Sequence, residues 1–157
     1  MSGFLLTPNQ ERPTNMTTTT QKPSLANLIE YTNIPESLVR AVVRQMGGWE
    51  SFKQSAPDIT RHGISGGFYG FIYYSDTIAF AERNRKAILE MATWHAEQFG
   101  EGLVEMIKSF RCMDGATEAE IVEGLAGNTD QTQVPNGLAW YAGEEVARAY
   151  CDAFDPQ

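Results

Sequence analysis

The sequence contains few residues of the types that carry out chemistry. Its 157 residues include only two cysteines, Cys112 and Cys151, and two histidines, His62 and His95. No two of these four have the spacing of a zinc site, and there is no CxxC motif, Walker loop, nucleophile elbow or metalloprotease histidine pair. We therefore predict no catalytic residue, no metal site and no cofactor. We interpret His62 as a surface residue at a helix C-terminus and His95 as a hydrogen-bonded structural histidine.

Long apolar runs and a secretory leader are missing as well. No apolar stretch approaches the roughly 18 residues that a membrane helix needs. The opening residues 1–6 lack the basic start and the apolar length of a signal peptide. We therefore expect a cytoplasmic protein whose cysteines stay reduced, and a bridge between Cys112 and Cys151 is the alternative.

Basic residues are scarce towards the C-terminal end. The last 46 residues hold nine acidic residues and Arg148 as their one base, so their net charge is −8, as in the whole chain. Such a field repels nucleic acid and attracts basic protein surfaces, so we predict a protein partner and no direct binding of nucleic acid. A solvated face that only keeps the protein soluble is the alternative. The acidic candidates for partner binding, on the last two predicted helices, are Glu118, Glu120, Glu123, Glu144 and Glu145.

The chain divides into a tail and a helical domain. Residues 1–23 are rich in Thr, Pro, Asn and Gln and hold too little apolar surface to offset the entropy of ordering, which predicts a disordered tail. Met16 within it is a candidate for the natural start of the protein. Over residues 24–157 apolar side chains recur with the period of a helix. We therefore predict a mainly α, single globular domain of about six or seven helices.

Several residues mark the predicted helix ends. Ser24 is a plausible N-cap, and Thr117 with Glu120 has the spacing of a capping box. Pro57 predicts an interruption of the helix that follows Gly47-Gly48, and Pro135 predicts the start of the last helix.

An aromatic and glycine-rich segment, residues 66–74 (GGFYGFIYY), interrupts the helical pattern. Aromatic side chains bury the largest area per residue, so we predict that the helices pack around this aromatic–glycine hub, with a binding surface as the alternative. A strand is disfavoured because no other stretch shows the alternation of a pairing strand. The remaining partner-binding candidates, in or shortly after the hub, are Tyr69, Arg83, Arg85 and Lys86.

Short motifs follow one another in a distinctive order from about residue 28 to residue 150. They are Ile34-Pro35 with Leu38-Val39, Trp49-x-x-Phe52, His62-Gly63, the run from Gly67 to Thr77, Asn84, Ile88 and Leu138-Ala139-Trp140. In this order they resemble a family of small proteins of bacteriophages and other mobile elements. The doublets of Gly47-Gly48-Trp49 and Gly66-Gly67-Phe68 are also similar to elements of ArdB-type antirestriction proteins. Here the gap between the doublets is longer and an asparagine is missing, so that fold and activity are not carried over.

The resemblance implies a cellular context for the protein but no specific activity. Small acidic phage proteins without catalytic motifs often bind a host protein, including CRISPR or restriction machinery. We therefore predict a non-enzymatic protein of the host cytoplasm that inhibits a host defence complex, with its C-terminal acids meeting a basic nucleic-acid channel. The alternatives are a small enzyme or small-molecule binder that uses the hub, and a structural or regulatory phage protein.

Overall fold

The regular secondary structure in the described part of the chain is α-helical. A computed structural model describes residues 22–64, 74–110, 113–127 and 133–154, and within these ranges it has seven helices and no strand. The helices are α1 (Leu25–Tyr31), α2 (Glu36–Gln45), α3 (Trp49–His62), α4 (Tyr74–Phe99), α5 (Leu103–Lys108), α6 (Glu118–Leu125) and α7 (Gln133–Phe154). The predicted fold class and helix number are confirmed. The hub, apart from Tyr74 at the start of α4, and nearly all of the predicted tail lie outside the described residues.

The helices fall into two compact units. The first spans residues 1–65 and 143–157, and the second spans residues 66–142. The first unit therefore contains α1, α2, α3 and the later part of α7, while the second contains α4, α5, α6 and the start of α7.

Aromatic side chains of α3 and α7 form a cluster in the first unit. The Phe52 and Tyr150 rings meet edge to face with centroids 5.7 Å apart, and Trp49 lies 5.6 Å from Tyr150. Phe154 continues the cluster, with its ring 5.1 Å from Tyr150. These edge-on and tilted arrangements are the ones that aromatic quadrupoles favour. The apolar face of α2 is buried in the same unit through Leu38, Val39, Val42 and Val43.

The second unit is organised along α4, the longest helix. Phe80, Ile88 and Ala92 of α4 have no exposed surface, and Ile107 of α5 and Ile121 of α6 are buried with them. These positions follow the 3.6-residue period of a helix with one apolar face. The close approach of α6 to α7 depends on a glycine, because a Cβ built on Gly124 would lie 2.6 Å from the Cβ of Val134.

Both predicted N-terminal caps are present. The Ser24 hydroxyl accepts a hydrogen bond from the Asn27 N–H at 3.1 Å. At the start of α6, the Thr117 hydroxyl accepts from the Glu120 N–H at 3.1 Å. The Glu120 carboxylate in return accepts from the Thr117 N–H at 2.9 Å, which completes the capping box.

Two expectations that rested on proline are wrong. Helix α3 runs without interruption from Trp49 to His62 with Pro57 inside it. Burial of Phe52 and Ile59 on both sides of the proline offsets the roughly 3 kcal/mol that an interior proline costs. Helix α7 begins at Gln133 and not at Pro135, which instead lies in the first turn, where the missing N–H has no helical partner to lose.

Candidate functional site

The outer face of α6 is acidic at its edges and apolar in its middle. The exposed residues of this helix and its C-terminal cap are Glu118, Ala119, Val122, Glu123 and Ala126. Because successive helical residues are about 100° apart, Glu118 and Glu123 form the two edges of this face, and the three apolar residues lie between them. Val122 is 51% exposed, and Ile121 and Gly124 are buried on the other side.

Glu120 belongs to the same helix but has a different role. It is half-buried and its carboxylate takes part in the capping box with Thr117. Of the three acidic candidates on α6, Glu118 and Glu123 lie on the exposed face, and Glu120 stabilises the start of the helix.

Glu144 and Glu145 of α7 both have partners within the first unit. Glu144 Oε2 accepts a hydrogen bond from the Ile64 backbone N–H at 2.9 Å. The Glu145 side chain is 18% exposed and forms an ion pair with Arg148 on the next turn. Burial raises the pKa of the Glu145 carboxyl, and the charge and hydrogen bond of Arg148 oppose that shift. These two acids are therefore tied to the fold.

The three basic candidates for partner binding, Arg83, Arg85 and Lys86, also differ in exposure. Arg83 and Lys86 are exposed on α4, whereas Arg85 is half-buried in the second unit. The Arg85 guanidinium lies over Gly127, just beyond the end of α6, and leaves no room there for a Cβ. Gly127 also has a φ of +104°, which favours glycine. Tyr69, the last partner-binding candidate, lies outside the described residues.

Beside Arg85 there is a groove in the second unit, which we call the α4–α6 groove. Its volume is about 180 Å³, and its lining residues are Ala81, Glu82, Arg85, Gly124, Gly127, Pro135 and Leu138. The lining is mostly apolar, with one carboxylate and one guanidinium from α4. No pattern in the sequence predicts this groove, because its lining comes from three separate parts of the chain. The one local signal is Gly124, since an interior helix glycine is unfavourable without a packing reason.

The histidines and Cys151 are engaged in side-chain contacts. His95 Nδ1 hydrogen-bonds the Tyr141 hydroxyl, and the Phe110 ring stacks on Tyr141 with centroids 4.6 Å apart. His62 is exposed at the end of α3, with its Nε2 3.8 Å from an Asp58 carboxylate oxygen. Cys151 Sγ lies 3.3 Å from the Thr60 hydroxyl, and burial raises the pKa of this thiol. Over the described ranges, no three His, Cys, Asp or Glu residues are grouped so that they could hold a metal ion.

The described helices define an all-α protein. The chain belongs to the family described as Domain of unknown function (DUF7222), whose match covers residues 29–155 and so includes all of α2 to α7. No curated protein and no solved structure matches the chain significantly. Within the described residues, none of the helices combines the length and the apolar character needed to cross a membrane.

Proposed function

We propose that this protein is a non-enzymatic binding protein that inhibits a host defence complex, of the CRISPR or restriction type, through the outer face of α6. The observation that carries the proposal is the exposure of Val122 between Glu118 and Glu123. The resemblance of the motif order to that of phage and mobile-element proteins supports the setting, which is the cytoplasm of a host cell.

An exposed valine between two carboxylates suits a protein partner. Covering Val122 would stabilise the complex by about 25 cal/mol for each Å² of apolar surface removed from water. The flanking carboxylates favour a partner that places lysine or arginine beside an apolar spot. A nucleic acid is a poor partner for this face, because the carboxylates would repel its phosphates.

The charge of the C-terminal part of the chain fits a basic channel. Residues 112–157 carry a net charge of −8, and three of their nine acids, Glu118, Glu120 and Glu123, are on α6. Complexes that handle nucleic acid hold it in positively charged channels, and an acidic surface can compete there with phosphate for the same side chains. Complementary charge also speeds encounter, and this contribution falls as salt rises.

A plating assay tests the proposal in cells. The protein is expressed in bacterial strains that each carry one CRISPR or restriction system, and a phage targeted by that system is plated. We expect wild type to restore plaques in at least one strain and E118K/E123K to lose this effect. The matched control is E30K/E90K, which changes the net charge equally at two other exposed acids and should keep it.

Binding to the purified defence complex from the responsive strain provides the second readout. We expect V122A and E118K/E123K to weaken binding, and wild-type binding to weaken as salt rises from about 0.05 M to about 0.5 M. No restored plaques in any strain, or equal activity of E118K/E123K and wild type, would contradict the proposal.

A further inference from the structure

The end of α4 carries an exposed aromatic ring among acids. Phe99 is 72% exposed, the largest exposure among the big apolar side chains of the described residues. Glu97 precedes it and Glu101 follows it, and both are exposed. Gly100 between them has a φ of +69°, which ends the helix in a tight turn. We call Glu97, Phe99 and Glu101 the Phe99 tip.

The α4–α6 groove of the same unit has complementary properties. Its apolar lining by Ala81, Pro135 and Leu138 and its volume of about 180 Å³ suit a phenyl ring, since a cavity of roughly 150 Å³ holds benzene. Arg85 lines the groove, and it makes no hydrogen bond or ion pair with the described residues.

The charges of the α4 segment that lines the groove are opposite in sign to those of the tip. Arg83 and Lys86 are exposed on the same turns of α4 as Arg85, whereas Glu82 is the one acid in the lining. The α4 segment beside the groove therefore has an excess of positive charge, and the Phe99 tip has only negative charge.

The tip cannot reach the groove of its own chain. Arg85 and Phe99 lie on one continuous helix, and at about 1.5 Å per residue they are separated by about 21 Å along its axis. A phenylalanine side chain spans far less than this. An occupant with the chemistry of the tip must therefore come from another molecule.

We propose that the protein self-associates head to tail, with the Phe99 tip of one copy inserted into the α4–α6 groove of the next. In this arrangement Glu97 and Glu101 face the cations of α4 on the neighbouring copy. A pair of copies leaves one tip and one groove unused, so further copies can add until a ring closes or an open chain forms. The contact involves surfaces other than the outer face of α6 and does not depend on the proposed defence target.

Analytical ultracentrifugation of the full chain tests this at concentrations from about 10 µM to about 1 mM. We expect the average mass of wild type to rise with concentration and to fall again at high salt. F99E should stay monomeric, whereas Q98E, which adds the same charge at an exposed neighbour, should behave as wild type. R85E should also be monomeric, with R44E, at an exposed arginine of α2, as its matched control.

A mixture of two variants gives the decisive measurement. F99E retains its groove and R85E retains its tip, so together they should form a 1:1 dimer and nothing larger. Circular dichroism of each variant confirms that it is folded before mixing. A wild type that is monomeric at every concentration, an F99E that associates as wild type does, or a mixture of folded variants without a dimer would each overturn the proposal.

Discussion

The carboxylate of Glu144 on α7 accepts a hydrogen bond from the backbone N–H of Ile64 at 2.9 Å. Ile64 is completely buried and directly follows Gly63, the C-terminal cap of α3. A buried backbone donor beyond the end of a helix needs a partner, and here an acid from a distant part of the sequence supplies it. An acidic residue that the sequence nominates for partner binding thus holds the chain just before the hub.

Replacing Glu144 should therefore reduce stability. We expect E144A to lower the free energy of unfolding by about 1–3 kcal/mol, because the Ile64 N–H is left without an acceptor. E144Q keeps an acceptor oxygen and should lose less. Urea unfolding of the two variants measures the difference, and equal stability of E144A and wild type would show that this hydrogen bond is dispensable.

The contact between Gly124 and Val134 predicts an unusual effect of alanine. In an ordinary helix interior, G124A would stabilise by about 0.5–1 kcal/mol. Here the new methyl group meets the Cβ of Val134, so we expect a net loss of about 1–3 kcal/mol from overpacking.

A double-mutant cycle identifies the cause. With Val134 replaced by alanine, G124A should cost much less than it does in wild type, and urea unfolding of the four proteins measures the coupling. If the effects of the two substitutions are additive, the cost of G124A does not come from contact with Val134.

Variants of the capping box and of the exposed acids of α6 distinguish effects on folding from effects on binding. T117A should lower the free energy of unfolding by about 1 kcal/mol, since the Glu120 N–H loses its cap. E118K/E123K should change the thermal midpoint little, because exposed charges carry little stability. A large drop in the midpoint of E118K/E123K would mean that these acids support the fold, and its loss of plating activity could then no longer be assigned to binding.

The buried position of Glu145 predicts a dependence of stability on pH. Because burial raises the pKa of this carboxyl, the folded protein holds the proton more tightly than the unfolded chain does. The contribution of Glu145 to stability therefore falls as pH rises from about the usual value of 4.5 through the raised pKa. E145Q has no carboxyl to titrate at this position. Its free energy of unfolding should therefore rise relative to that of wild type as the pH increases over this range.

The neighbouring arginine provides a check on that cause. Arg148 opposes the shift, so R148Q should raise the pKa of Glu145 further and make the loss of stability with pH steeper. Urea unfolding at several pH values measures all three proteins. If the free energies of unfolding of wild type and E145Q change in parallel with pH, burial does not raise the pKa of this carboxyl.

Local features of the sequence predicted much of the helical architecture. A packed α-helix has apolar residues that recur about every 3.6 positions and capping residues at its ends. Both features depend on residues that are close together in the sequence. Thr117 and Glu120 therefore predicted the start of α6 correctly. The same local rules failed at Pro57, because the burial that keeps α3 continuous depends on residues far away in the sequence.

The helical class, the caps of α1 and α6 and the position of the negative charge along the chain follow from the order of the residues alone. Which of the charges are exposed depends on the packing of the helices. Glu118 and Glu123 face solvent, whereas Glu144 is bound to the Ile64 backbone. Arg85 likewise turns into a groove that α6 and α7 help to form. Periodicity defines the faces of a helix, but the helix that covers each face is set by contacts between residues far apart in the chain, and no local pattern records them.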